Sequence, residues 1–160
     1  FAGEASDDPR EKIPVQTLVS FCEYLYCEKL RTHGVEYECN YNDLEESYVQ
    51  INQVQISQIM VNLVNNSFDA LKHSNNKRIT LSIKIKDDMI HFDFEDSGTK
   101  LTQEVVDKIF EPFFTTKVVG EGTGLGMSIS MTIIEEHGGT IDISSNPGKG
   151  TCVTVFFPLA

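Results

Sequence analysis

The stretch Glu121-Gly122-Thr123-Gly124-Leu125-Gly126-Met127-Ser128 sets three alternating glycines against an apolar-periodic run, Leu125 to Ile134, whose spacing predicts a helix. Glycine lets the backbone approach a ligand closely, and a helix N-terminus offers unpaired N–H groups at the positive end of its dipole. Such a place suits phosphate. Glycine-rich turns are common, so the stretch draws its meaning from other segments. These are Asn62-x-x-x-Asn66, Asp96-x-Gly98 and Ile109-Phe110-Glu111-Pro112-Phe113-Phe114-Thr115-Thr116-Lys117. Two commoner phosphate motifs are excluded. A P-loop needs G-x-x-x-x-G-K-[ST], and the only Gly-Lys, Gly148-Lys149, is followed by Gly150 and lacks the earlier glycine. A dinucleotide fingerprint needs a strand before its glycines, whereas Pro112 to Val119 reads as a loop and the glycine spacing differs.

At 160 residues the chain is long enough for one domain with a core of its own. Its 40% hydrophobic and 23% charged residues are ordinary for a globular chain. A net charge of -11 argues against a nucleic-acid or anionic-membrane surface. A polyphosphate ligand would need a divalent cation and local lysines to offset that field. No apolar run approaches the ~20 residues of a membrane span, so no direct membrane contact is expected. Cys22, Cys27, Cys39 and Cys152 form no Cys-x-x-Cys pair and have no histidine at metal spacing. They read as reduced structural thiols of a cytoplasmic domain. Because the chain begins at Phe1, it is expected to be a piece of a longer protein, one that can itself be membrane-anchored.

Residues 1–13 are small, charged and aperiodic, which predicts a linker or the end of a preceding helix, with the folded domain spanning 14–160. Val15 to Leu30 carries apolar residues at 15, 18, 19, 21, 25 and 26, an amphipathic helical pattern that Gly34 ends. Val35 to Tyr41 alternates like a strand, and 42–50 reads as an acidic connection. In Gln53 to His73, Ile56, Ile59, Met60, Leu63, Phe68 and Leu71 make a helical core face, while Asn62, Asn66, Asp69 and His73 share another. Ile79 to Ile85 and Ile90 to Phe94 alternate on either side of Asp87-Asp88, predicting a hairpin with one buried face. Thr102 caps a short helix to Phe110, with Glu104 in its first turn. A loop over 111–123 leads to a helix from Gly124 to Glu136, stopped by Gly138-Gly139. Ile141/Ile143 and Val153/Val155/Phe157 form a final hairpin. The sum is α+β: a two-layer sandwich with a mixed, mainly antiparallel sheet and helices on one face.

Asn62 and Asn66 in isolation read as a solvated stripe. Yet asparagine is a poor helix former, and Asn62, Asn65 and Asn66 crowd the middle of a helix, which points to a task. An amide oxygen there is a hard ligand suited to Mg²⁺. Asp96 is either an ordinary turn aspartate or a carboxylate accepting the exocyclic amine of adenine, with Gly98 leaving room for the base. Phe110, Phe113 and Phe114 are either core aromatics or positioners of a lid. Lys117 is either a surface lysine or a phosphate contact.

Taken together, the four blocks resemble the N, G1, F and G2 boxes of the ATP-binding catalytic domain of sensor histidine kinases, in the GHKL ATPase superfamily. Asn62-Leu63-Val64-Asn65-Asn66-Ser67-Phe68-Asp69-Ala70 resembles the N box, and Asp96-Ser97-Gly98 resembles G1. Phe110-Glu111-Pro112-Phe113-Phe114 resembles the F box, and Gly122-Thr123-Gly124-Leu125-Gly126 resembles G2. His137-Gly138-Gly139-Thr140, Pro147-Gly148-Lys149-Gly150-Thr151 and Phe157-Pro158 extend the likeness from about Pro14 to Pro158. The resemblance implies a Bergerat-type fold binding ATP and Mg²⁺, with Asn66 as metal ligand and Asn62, Asn66 and Lys117 acting on the phosphates. It implies nucleotide contacts from Asn66, Asp69, Asp96, Gly98, Leu101, Phe110, Lys117, Gly122, Thr123, Gly124, Leu125, Gly126 and Thr151. In one departure, the second glycine of the family's Asp-x-Gly-x-Gly is Lys100, which adds bulk near the nucleotide but also a positive charge.

The family's phosphoacceptor histidine is followed by an acidic residue, whereas His33, His73, His91 and His137 precede Gly34, Ser74, Phe92 and Gly138. The expected function is therefore transfer of the ATP γ-phosphoryl group to a histidine outside this chain. The expected partners are a dimerisation and histidine-phosphotransfer segment of the same protein and, downstream, a response regulator receiver domain. A self-contained ATPase of the gyrase or Hsp90 kind is the alternative. Those relatives carry a glutamate base where Asn62 stands, and an amide cannot take a proton from water. A degenerate nucleotide-binding or scaffold module is the non-enzymatic reading.

Overall fold

Strand and helix content follows the hydrophobic periods closely in the computed structural model, which describes residues 10–98, 102–114, 126–146 and 150–160. In chain order the described elements are β1 (Glu11–Pro14), α1 (Val15–Thr32), β2 (Glu36–Tyr41), β3 (Tyr48–Ile51), α2 (Gln53–Ala70) and β4 (Arg78–Lys86). They continue with β5 (Met89–Asp96), α3 (Gln103–Lys108), α4 (Gly126–Glu136), β6 (Thr140–Asn146) and β7 (Gly150–Pro158). Five strands form one sheet in the order β2-β4-β5-β7-β6, antiparallel except at the parallel β2–β4 pair. Helices cover one face of it, the two-layer α+β architecture that the alternation predicts.

Alternation decides which face is covered. Ile79, Leu81 and Ile83 on β4, Ile90, Phe92 and Phe94 on β5, and Val153, Val155 and Phe157 on β7 are all buried. Their neighbours Lys84, His91, Asp93, Glu95 and Thr154 stand on the opposite face, where Thr154 donates to Asp93 at 2.7 Å and His91 stacks on Phe156. The β4–β5 hairpin closes through Asp87 and Asp88, with φ of 55° and 61°. Two consecutive left-handed residues give a turn whose twist matches that of the strands, and aspartate tolerates the conformation better than most residues.

The central helix α2 presses Ile56, Ile59, Met60, Leu63 and Val64 into the core. It packs on α1 along one side and on α4 along the other. Lys29 of α1 donates to Asn65 at 3.1 Å and lies over the Phe68 ring, which His33 meets edge-on. Asn65 therefore latches two helices together and looks away from its neighbours Asn62 and Asn66. A chain of hydroxyls ties α1 to β2: Tyr37 donates to Glu23 at 2.8 Å and contacts the Tyr26 hydroxyl at 2.6 Å. All four cysteines are free, and burial pushes the Cys22 and Cys39 thiols up to about 11, so both stay protonated and inert near neutrality.

The fold begins earlier than periodicity indicates. Glu11–Pro14, of which residues 11–13 were expected to be linker, pairs antiparallel with Tyr48–Ile51, which overlaps the acidic connection expected over 42–50, and buries Ile13. Four-residue strands are too short to register as alternation. Conversely, Phe21 and Leu25, which count toward the helical pattern, remain 37% and 47% exposed on α1.

His137 ties the end of α4 to the start of α2. Its Nδ1 contacts the Ile133 carbonyl at 2.8 Å, and its Nε2 accepts the Asn52 backbone N–H at 3.2 Å. A carbonyl can only accept, so Nδ1 carries the proton and the neutral tautomer is set by geometry. Asn52 in turn caps α2, its side chain accepting from Gln55 N–H at 3.1 Å. Replacing His137 with alanine leaves that buried amide unpaired and opens a cavity, so urea unfolding is expected to show a loss of about 2–4 kcal/mol. Ser57 supplies the contrast: its hydroxyl lies buried with no hydrogen-bond partner among the described residues. Ser57→Ala is therefore expected to leave stability unchanged or raise it by up to about 1 kcal/mol in the same experiment.

Candidate functional site

On β5 the inward positions run Ile90, Phe92, Phe94 and then Asp96, so the period of two that builds the core delivers a carboxylate into its last slot. Asp96 is only 6% exposed. Its register partner on β7 is Thr151, the inward residue that precedes Val153, and Thr151 is buried as well. Asp96 Oδ1 accepts the Gly98 N–H at 2.9 Å. The Ser67 hydroxyl, from α2, and the Thr151 backbone N–H also hydrogen-bond the carboxylate. Burial holds the Asp96 carboxyl above its ordinary value of 3.8, and those three hydrogen bonds oppose the shift without cancelling it. Such a group is a strong acceptor aimed away from bulk water.

The backbone around it is tightly fitted. Ser97 accepts the Arg78 N–H at 3.0 Å and donates to the Asn76 carbonyl at 2.7 Å, pinning the turn to the start of β4. A side chain on Gly98 would stand 2.9 Å from Asp96 Oδ1 and 3.1 Å from the Ala70 carbonyl. Gly150, at φ +83°, faces the Asp96 carbonyl so closely that any Cβ would collide with it.

The second half of the site lies along the same helix. Asn62 and Asn66 both meet the start of α4: Gly126 abuts the Asn62 amide, and Asn66 Nδ2 contacts Met127 Sδ at 3.6 Å. Asp69, one turn further along α2, is half-buried and pairs with Lys72 at 3.7 Å. From Asn62 to Ala70 the helix rises about 12 Å, at 1.5 Å per residue. Asp96 and Gly98 adjoin the far end of that span, while the α4 N-terminus adjoins the near end. The contacts thus run along one helix, with a buried carboxylate at one end and the start of α4 at the other.

Phe110 follows α3 and packs partly buried against the core. Phe113, with φ +68°, is 73% exposed, while Phe114 is half-buried. Thus Asn62, Asn66 and Gly126 meet at the start of α4, and Asp96, Gly98 and Thr151 meet at the end of β5, with Asp69 on α2 between the two groups. Leu101, Lys117, Gly122, Thr123, Gly124 and Leu125 lie outside the described residues, as do Lys100 and most of the expected lid. Reading the residues one by one passes over Ser67, Gly150 and Met127. Ser67 had a signal, a serine at a core-facing helical position, and Gly150 had another in Pro147-Gly148-Lys149-Gly150. Met127 had none, because its partner is 61 residues away.

Residues 51–160 match the family described as histidine kinase-, DNA gyrase B-, and HSP90-like ATPase, and this chain belongs to that family as an ATP-binding catalytic domain of the sensor histidine kinase type. Sensor kinase CckA of Brucella abortus is 41% identical over 117 residues, covering 65% of this chain and 12% of that protein. Sporulation kinase A of Bacillus subtilis is 30% identical over 151 residues, covering 93% of this chain and 24% of that protein. The chain thus spans a quarter or less of these two relatives. Among solved structures, the nucleotide-free catalytic domain of histidine kinase ThkA superposes with a TM-score of 0.78 at 31% identity, covering 94% of this chain and 95% of that one. ThkA in complex with response regulator protein TrrA gives 0.79 at 26% identity, covering 94% and 42%.

The buried Asp96 has a consequence for stability. Its folded-state pKa lies above 3.8, so the folded chain holds more protons than the unfolded chain through that window. The stabilising contribution of protonated Asp96 is complete below the unfolded value and is lost as pH rises through the folded value. As pH rises through that window the ionised carboxylate becomes a net burden on the fold. Asp96→Asn keeps an oxygen for the Gly98 N–H and removes the charge. Thermal unfolding of the nucleotide-free protein at pH 7 is expected to show a midpoint equal to or above wild type. That difference is expected to shrink as the pH approaches the ordinary carboxylate range.

Proposed function

We propose that this chain transfers the γ-phosphoryl group of ATP to a histidine carried by a helical dimerisation and phosphotransfer segment of the same protein, outside these 160 residues. The observation that carries the reading is the buried Asp96 at one end of α2, with Asn62 and Asn66 meeting the start of α4 further along the same helix. A desolvated carboxylate suits the exocyclic amine of adenine, and Gly98 leaves room for the base. Thr151 and Ser67 hold the carboxylate in place. The start of α4 suits phosphates, with its N-terminus giving positive dipole and Asn66 giving an amide oxygen of the kind a hard cation takes. When bound, Mg²⁺ supplies neutralisation of the phosphate charge. Lys117 adds a second positive charge, and the amides of Gly122, Thr123, Gly124, Leu125 and Gly126 cradle the phosphates. Leu101, Phe110 and Asp69 complete the contacts. Catalysis on this reading is positioning and electrostatics.

Asn62 disfavours hydrolysis, because its amide cannot accept a proton from an attacking water. Histidine is therefore the acceptor rather than water. The downstream partner is a response regulator receiver domain, supported by the likeness to ThkA, a kinase solved with such a regulator. No described helix is long and apolar enough to cross a membrane, and a cytoplasmic site suits a domain fed by ATP with four free thiols. Residues before β1 lead, on this reading, to the dimerisation segment.

Calorimetry with ATP and GTP, each with and without Mg²⁺, tests the reading. Tight binding is expected for ATP with Mg²⁺ only, because guanine presents a carbonyl where adenine presents its amine; equal affinity for GTP sinks the Asp96 assignment. Asp96→Asn is expected to weaken ATP binding by roughly 1.5–3 kcal/mol, about ten- to a hundredfold. With γ-labelled ATP the chain should not label itself, whereas a supplied helical segment bearing its cognate histidine should become labelled, weakly, for want of tethering. Rapid phosphate release by the chain alone would instead identify a hydrolytic ATPase.

A further inference from the structure

Asparagine offers a hard cation only one end of its amide. The carbonyl oxygen can ligate Mg²⁺; the NH₂ group can only donate hydrogen bonds. Whatever holds Asn66 in one orientation therefore decides whether it serves the metal. Its Nδ2 contacts Met127 Sδ at 3.6 Å, within the range of a hydrogen bond to sulfur. A thioether has no hydrogen to give, so this contact selects the NH₂ end and leaves the oxygen as the end turned away from Met127. Sulfur is also soft and a poor competitor for Mg²⁺, so it can sit beside the metal ligand without taking the ion. The contact depends on a close approach of two helices. A side chain at Gly126 would stand 3.0 Å from Asn62 Nδ2. The missing side chain lets α4 settle on α2, and the next residue, Met127, then reaches the next turn of asparagine.

From this we infer that Met127 is a positioning residue, its thioether orienting the Asn66 amide so that the oxygen is presented to the nucleotide-bound Mg²⁺. The inference rests on the proposed metal role of Asn66. It adds that residue 127 acts on metal linkage specifically and on nucleotide binding hardly at all. A hydrocarbon side chain of equal length would fill the same space but would not discriminate between the two ends of the amide. With the orientation unselected, the competent fraction of Asn66 falls to about half or less, and apparent metal affinity falls with it, by roughly two- to fivefold.

The test measures ATP affinity by calorimetry at several Mg²⁺ concentrations and in EDTA, for the wild-type chain, Met127→Leu, and a chain with norleucine at 127. Norleucine replaces only the sulfur. The side-chain amide resonances of Asn66 are followed by NMR in nucleotide-free protein. Both substitutions are expected to keep the ATP affinity in EDTA, to raise the Mg²⁺ concentration for half-maximal effect about two- to fivefold, and to shift the Asn66 amide pair. An unchanged Mg²⁺ dependence with norleucine overturns the proposal. So does a loss of ATP affinity that is equal with and without Mg²⁺, which would mark Met127 as packing alone. A wild-type chain with no Mg²⁺-linked gain in ATP affinity defeats the metal reading of Asn66 itself, and this inference with it.

Discussion

The packing of α2 on the inward face of the sheet is the constraint on which the rest depends. Ile56, Ile59, Met60, Leu63 and Val64 leave that helix only one rotation that buries them all. Burying five aliphatic side chains contributes on the order of 10 kcal/mol before conformational entropy is counted, enough to fix the rotation. Once fixed, Asn62 and Asn66 face α4, Asn65 faces α1, and Ser67 points to the end of β5. A rotation of one residue would exchange these roles. The site is thus set by core packing, and no polar contact within it has to hold the helix in place.

The sheet makes a matching commitment. Its inward positions are apolar until Asp96, where the rule that selects Ile90, Phe92 and Phe94 is broken by a carboxylate. Isolated, such a group is expensive to bury; three hydrogen bonds offset part of the penalty, and the raised carboxyl pKa shows that part remains. The surrounding backbone accepts similar tension, with Gly98 and Gly150 crowding Asp96 where no other residue fits. Local rules fail together here, as they do where a fold gives up stability for binding.

The helix α4 carries these commitments across the molecule. Its first residues rest on Asn62 and Asn66, and its last turn is tied by His137 to Asn52, the cap of α2. Arg10, just before β1, donates to the Glu136 carbonyl at 2.9 Å at the same end. Through these contacts the entry strand, the start of α2 and the end of α4 form one clamp. The opposite end of the helix, Gly126 and Met127, is left to meet Asn62 and Asn66.

Much of this was legible in the chain itself. Periods of two and 3.6 located nearly every long element, because burial of one face acts on each residue locally. The motif blocks singled out Asp96, Asn62 and Asn66 as candidate site residues, since aspartate and asparagine are costly where they stand. Short strands such as Glu11–Pro14 stayed invisible, for their stability comes from partners 34 to 40 residues on. Sequence also could not separate Asn65 from Asn62 and Asn66, three adjacent amides of the same chemistry; helix packing alone assigned the first to Lys29. It could not show that Met127 meets Asn66 or that Ser67 meets Asp96. Those contacts join residues far apart in the chain, and they exist only because a shared core brings α2, α4 and β5 within bonding distance.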